Sequence, residues 1–268
     1  MNWISVGLAA LCGALAALVA SLVIRNPKEK RAIYTIVVVV LFAALQGLSR
    51  EFIFPSLNAW NLARKAESAL LEIPAYQAIK QYDPKTYDNV LSDIKNSIKK
   101  GVDESQIIGL VRGHIGGIVQ KRLPSASDDA VVSYMTVMLT EMNELKSHGA
   151  DLCYRFLFPQ QSIPIDGRKY FSKQTQDADL AALAQVIRTS AENPQPLPRD
   201  TEVMPKLKQV YLDLAKEYGN DIVMLQNPAA PNVDRAKICN MTMSLYSRIL
   251  KLPTNESGKI IRFMMSQS

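Results

Sequence analysis

Cysteine and histidine are scarce: the 268 residues hold three cysteines and two histidines. There is no Cys-x-x-Cys pair and no His-Glu-x-x-His, so a zinc centre has no ready ligand set. The nucleophile pattern Gly-x-Ser-x-Gly is missing too, and nothing marks His114 or His148 as part of a catalytic group. We expect no catalytic residue, no metal and no cofactor, and read both histidines as plain surface or half-buried side chains. Strand signals are equally thin. No run alternates over strand length and no Asn-Gly hairpin pair occurs, which argues against a β fold.

Charge is missing over long stretches at the start of the chain. Asn2 to Ile24 runs 23 residues without a charged side chain, and Ala32 to Ser49 another 18. At 1.5 Å per residue these helices would measure about 34 Å and about 27 Å, against a hydrocarbon core of roughly 30 Å. Both lengths fit a membrane span. A cleaved signal peptide fits the first run less well, because its positive n-region is absent and the apolar part exceeds the usual h-region of about 7–15 residues. Residues 1–56 are thus expected to form a transmembrane hairpin. Ser5, Ala9, Gly13, Ala17 and Ser21 recur every four residues on the first helix, a ridge of small side chains suited to membrane-helix packing.

Between the two runs lies RNPKEKR, with Arg25, Lys28, Lys30 and Arg31. Short loops rich in Lys and Arg stay in the cytoplasm. That rule places this loop inside and both chain termini outside, which for a bacterial inner membrane means the periplasm.

Residues 57–268 read as a separate all-α domain of about 7–8 helices, long enough for a sizeable core. Residues 1–56 carry five basic and two acidic side chains, which leaves 26 Lys+Arg and 23 Asp+Glu, net +3, for the rest. Such a small excess does not suggest a nucleic-acid surface. Asp83-Pro84 is an N-cap followed by an N1 proline. Tyr87, Val90, Leu91, Ile94 and Ile98 form the apolar stripe behind it, and Gly101 is the stop. Further helices are expected over about 57–72, 104–122, 127–149, 175–191, 202–218, 233–251 and 256–266. The segment 151–171 reads as an irregular but packed crossing, and NPQPLPRD, 193–200, as a proline-stiffened connector.

Gly109, Gly113 and Gly117 repeat every four residues in GLVRGHIGGIVQKR. No Gly-Lys-Ser/Thr comes after them, so this is no phosphate loop. Each glycine costs a helix about 1 kcal/mol relative to alanine. The spacing therefore predicts a close helix contact there, inside the domain in the first instance, with a partner as the alternative. Cys153 and Cys239 are the only cysteines outside the apolar runs, and in an oxidising compartment they are expected to pair. The expected function is a membrane-anchored interaction module facing the periplasm, of an inhibitor, immunity or envelope-scaffold type. Its expected partners are the lipid bilayer and a protein. The alternatives are a subunit of a larger membrane assembly, using the small-residue ridge as its seam, and an envelope-acting enzyme working through His114 or His148.

Overall fold

The computed structural model describes residues 13–19, 21, 31–48, 64–158, 165–230 and 232–267. Among these, all regular structure is helical and no strand occurs. The contacts divide the chain into two units, Met1–Ala66 and Glu67–Ser268.

In the first unit residues 13–19 are helical, and α1 covers Arg31–Leu48. A Cβ added at Gly13 would stand 3.8 Å from the Phe42 ring, ordinary van der Waals distance, so the ring lies close over this glycine. Ala16 is fully buried, Ala17 is half-buried, and Ser21 is exposed with its hydroxyl donating to the Leu18 carbonyl at 2.7 Å. The small ridge is thus partly used within this unit; Ser5 and Ala9 lie outside the described residues. So do Arg25, Lys28 and Lys30, while Arg31 opens α1. Among the described residues no helix is long and apolar enough to cross a membrane, so the fold lends no support to the expected transmembrane hairpin.

The second unit begins with a helical stretch, 67–71, followed by α2 (Pro74–Tyr82), α3 (Pro84–Lys99) and α4 (Glu104–Arg122). Next come α5 (Asp128–His148), α6 (Ala150–Leu157), α7 (Lys173–Glu192), α8 (Asp200–Tyr218), α9 (Arg235–Leu250) and α10 (Thr254–Ser266). Side-chain caps start several of them, satisfying N–H groups that lack a partner in the first turn. The Asp83 carboxylate accepts from the Thr86 N–H at 3.3 Å, Ser127 Oγ from Ala130 at 3.3 Å, and the Asp234 carboxylate from Lys237 at 3.0 Å. Gly101 ends the α3 turn with φ 65°, a conformation that costs glycine nothing sterically.

Helix α5 is the hub, packing against α6, α7, α9 and α10. Its first half meets the main core, where Val131 and Met135 lie among Val203, Leu207 and Leu214 of α8 and Ile260 and Ile261 of α10. Its second half supplies Met142 and Leu145 to a second cluster holding Cys153, Phe171, Cys239 and Met243. The α2–α4 segment attaches to this body through α7, which touches both α2 and α4.

The segment 151–171 is not irregular throughout. Gly149, at φ 147°, breaks the chain direction after α5, and α6 then runs as a true helix over its first part. Cys153 and Tyr154 bury one side of it. An eight-residue helix is too short to show periodicity in sequence; here tertiary packing, not propensity, stabilises it. A 3-10 turn, Gly167–Lys169, leads on towards α7. The connector before α8 is irregular as expected, and at the helix start the Glu202 carboxylate reaches back to accept from the Arg199 N–H at 3.0 Å.

Candidate functional site

Helix α3 lies against α4, and a shallow groove of about 250 Å³ opens between them. It is lined by Asp83, Thr86, Gly113, His114, Gly117, Ile118 and Lys121. Asp83 anchors one end. Its carboxylate accepts from Thr86 Oγ1 at 2.9 Å and sits 3.5 Å from Lys121 Nζ, while Arg122 Nη2 donates to the neighbouring Tyr82 carbonyl at 2.8 Å. Burial pushes the Asp83 carboxyl up, but the Thr86 hydrogen bonds and the Lys121 charge outweigh it and hold the group below the usual carboxylate range.

His114 occupies the other end, with Nε2 at 2.8 Å from Asp93 Oδ2 and the imidazole partly open to solvent. Asp93 was not singled out by the sequence. The signal available was the antiparallel turn at Gly101, which brings the middle of α3 beside the middle of α4. A carboxylate that orients an imidazole is one part of a hydrolytic site, yet a nucleophile within reach is also required. The groove's hydroxyl, on Thr86, is engaged by Asp83. Among the described residues no group of three His, Cys, Asp or Glu side chains converges on a metal position.

The glycines behave differently from the sequence expectation. Among the described residues, nothing outside the α4 backbone stands within 4 Å of where a Cβ would sit on Gly113, Gly116 or Gly117, and all three are exposed. The close helix contact read from the Gly109–Gly113–Gly117 spacing is therefore not made by any described residue at Gly113 or Gly117; the surroundings of Gly109 lie outside the described residues. A four-residue repeat marks one face of a helix but does not say what covers it. In α4 that face is bare backbone bordering the groove.

A second cleft, about 310 Å³, separates α8 from α10 and is lined by Glu202, Lys206, Asn255, Glu256, Lys259 and Ile260. Its opposite charges face one another, although among the described residues Glu256 Oε2 makes no hydrogen bond of good geometry. Lys206 pairs with Glu256 at 3.2 Å, and Lys259 with Glu202 at 3.5 Å. His148, at the end of α5, packs edge-on against the Tyr170 ring with centroids 5.5 Å apart. It is 34 residues from His114 in sequence and takes no part in the groove.

Cys153 and Cys239 are bonded, with Cα atoms 6.0 Å apart, and both are fully buried. The bond ties α6 to α9 across 86 positions of sequence. Both sulfurs sit among Met142, Leu145 and Met243, so the staple is shielded from reductants.

Comparison of the chain with protein-family models, curated proteins and solved structures finds no match. A functional reading therefore rests on the chain's own sequence and geometry.

Proposed function

We propose that this chain is a membrane-anchored interaction module whose helical domain works outside the cytoplasm and engages a protein partner through the exposed face of α4. The open backbone at Gly113, Gly116 and Gly117 carries this reading. Three glycines inside one helix forfeit about 3 kcal/mol of propensity relative to alanine. Among the described residues no packing offsets that loss at these positions. A partner whose backbone approaches α4 closely would do so, and His114, Asp93 and Lys121 would supply polar contacts at its edges.

Two observations support the location. The buried disulfide fits an oxidising compartment, since thiols in the cytosol are kept reduced. The anchor rests on the apolar runs 2–24 and 32–49 and on seven large apolar side chains exposed among the described residues of the first unit, including Leu18, Ile36 and Val40. A water-facing surface of that composition is unusual, whereas lipid accommodates it. The RNPKEKR loop would then lie in the cytoplasm and both termini in the periplasm.

The test is site-specific photo-crosslinking in cells. A crosslinker at Lys121 should give one adduct of defined mass, and Gly117→Leu should remove it. A crosslinker at exposed Lys169 should give none. Equal adducts from both positions would show that the α4 face is not a docking surface. In parallel, a reporter active only outside the cytoplasm should work after Ser268 and be silent after Glu29; the reverse pattern would move the domain into the cytosol.

A further inference from the structure

The large apolar side chains that the second unit exposes are confined to one stretch. Among the described residues they are Leu197, Met204, Tyr211, Leu212 and Val223, at 59%, 46%, 37%, 48% and 59% exposure. The middle three lie on α8. Its inner face is filled by Val203, Leu207, Val210 and Leu214, all buried in the main core. Met204, Lys208, Tyr211, Leu212 and Ala215 fall at i, i+4, i+7, i+8 and i+11, which makes a second stripe along an outer face of the same helix. Helix α8 is thus apolar on two sides, and only one has a partner in the fold.

The charges sort themselves around this stripe. Glu202 is held by Arg199 and Lys259, Asp213 by Lys216, and Glu217 by Arg248. Lys206 is held by Glu256. Lys208 forms no ion pair among the described residues, and it sits in the middle of the apolar stripe. An unpaired lysine flanked by Met, Tyr and Leu, with the only acid on the same row, exposed Asp200, set back in the first turn of the helix, suits a helix face lying in a lipid interface. The lysine stem can lie along the acyl boundary while its ammonium reaches a phosphate, and a tyrosine suits the headgroup level.

We infer that α8 is a second membrane contact, resting its Met204–Leu212 stripe on the surface of a bilayer containing anionic phospholipid. The inference rests on the anchor reading above, because a tether holds the domain at high effective concentration near a bilayer and lets a single short stripe suffice. The stripe spans about 12 Å from Met204 to Leu212, too short to insert across the membrane and long enough to lie on it. It would orient the domain, and with it the α4 groove, relative to the lipid plane.

The full chain, reconstituted in nanodiscs, tests this. With Trp3→Phe and Trp60→Phe as background, Tyr211→Trp places a single fluorophore in the stripe. Discs of phosphatidylglycerol and phosphatidylcholine with brominated acyl chains should quench it. Met204→Glu with Leu212→Glu should abolish the quenching while leaving the buried Cys153–Cys239 bond protected from a thiol reductant under native conditions, which shows that the fold is retained. Lys208→Gln should weaken the docking equilibrium about fivefold in anionic discs and leave it unchanged in phosphatidylcholine alone. Tryptophan emission that stays solvent-like and unquenched in both disc types overturns the inference. So does a Leu212→Cys variant that crosslinks to a second copy without quenching, since the stripe would then be a dimer seam. If the chain remains in aqueous solution without detergent, the anchor reading fails separately. Co-sedimentation with phosphatidylglycerol vesicles then decides the docking on its own: loss of binding in the double glutamate variant retains it, and no binding by the parent chain overturns it.

Discussion

Gly258 and the glycines of α4 are both helical, and their surroundings are opposite. At Gly258, α10 comes down on the first turn of α5 so closely that an added Cβ would stand 2.6 Å from the Asp128 Cα and overlap its side chain. At Gly113, Gly116 and Gly117 the same added carbon would meet nothing within 4 Å. The first glycine is required by packing within the fold. The others are tolerated by the fold and, on the reading proposed, required by something outside it. Residue identity and helical position do not separate the two cases; the covering surface does.

The largest effect that would break this contrast is at Gly258. Gly258→Ala should destabilise the protein by about 3 kcal/mol, because overpacking against backbone cannot relax by a rotamer change. The urea midpoint of the full chain in detergent, disulfide intact, measures it. Measured against an Asp128→Gly single variant, which itself loses the Arg262 contact, Gly258→Ala should still cost stability, since the Asp128 Cα is in the way. No added cost in that background would mean that only the side chain crowds the crossing.

The same crossing holds a buried charge. Arg262 is 3% exposed; its Nε donates to Asp128 Oδ1 at 3.0 Å and its Nη1 to the Pro196 carbonyl at 2.8 Å. Asp128→Ala leaves that guanidinium without its counter-charge, at an expected loss of about 3 kcal/mol. Replacing both partners, Asp128→Ala with Arg262→Met, should recover part of the loss, read from the same urea transition. If the double variant is less stable than the single one, the carbonyl contact and not the ion pair holds α10 in place.

These features were only partly legible in sequence. The α3 stripe, the Asp83 and Ser127 caps and the Cys153–Cys239 pair could be read because each depends on near neighbours or on a count that leaves one solution. Gly258, in the unremarkable run NESGK, carries no local signal; its need arises from Asp128, 130 positions away. Arg262 and Asp128 are similarly remote, separated by 134 residues. Helix α6 escaped because eight residues are too few to show a period. The Gly109–Gly113–Gly117 repeat was visible, but its contact was inferred from spacing alone. Spacing defines a face and leaves its covering unstated. Asp93 was passed over for a related reason, since a lone acidic residue on a helix gains meaning only when the facing helix supplies His114.

A smaller effect is expected at the anchored end of the groove, where the fold does contact α4. The Asp83 carboxyl is held below its ordinary value in the folded protein. The folded state therefore binds this proton less readily than the unfolded chain does. Its contribution is present above the unfolded value, about pH 4, and is lost as pH falls through the folded value. Asp83→Asn keeps the N-cap and should flatten this part of the urea-midpoint profile between about pH 5 and pH 2. Asp83→Ala also removes the cap and should cost about 1 kcal/mol more at neutral pH. Glu144, likewise lowered by its bonds to Thr175 and Ser172 against the effect of burial, titrates in the same direction. The parent profile minus the Asp83→Asn profile isolates the Asp83 share. Parallel profiles would mean that the Thr86 and Lys121 contacts do not persist in solution.

The smallest expected change is a gain, and it sharpens the contrast most directly. Gly117 is exposed inside α4 and nothing occupies the space its Cβ would take. Gly117→Ala should raise stability by about 0.5–1 kcal/mol through helix propensity alone, and Gly113→Ala by a similar amount. The two sites lie one turn apart with no shared neighbour above them, so their effects should add. The same substitutions should weaken adduct formation from a crosslinker at Lys121, because a partner backbone could no longer approach as closely. Gain in stability together with loss of crosslinking would mean that the bare face is kept for binding at the expense of the helix. Gain without loss would leave these glycines with no role in docking. A loss of stability at either site would show that the face is covered within the protein, and would make α4 resemble the Gly258 crossing after all.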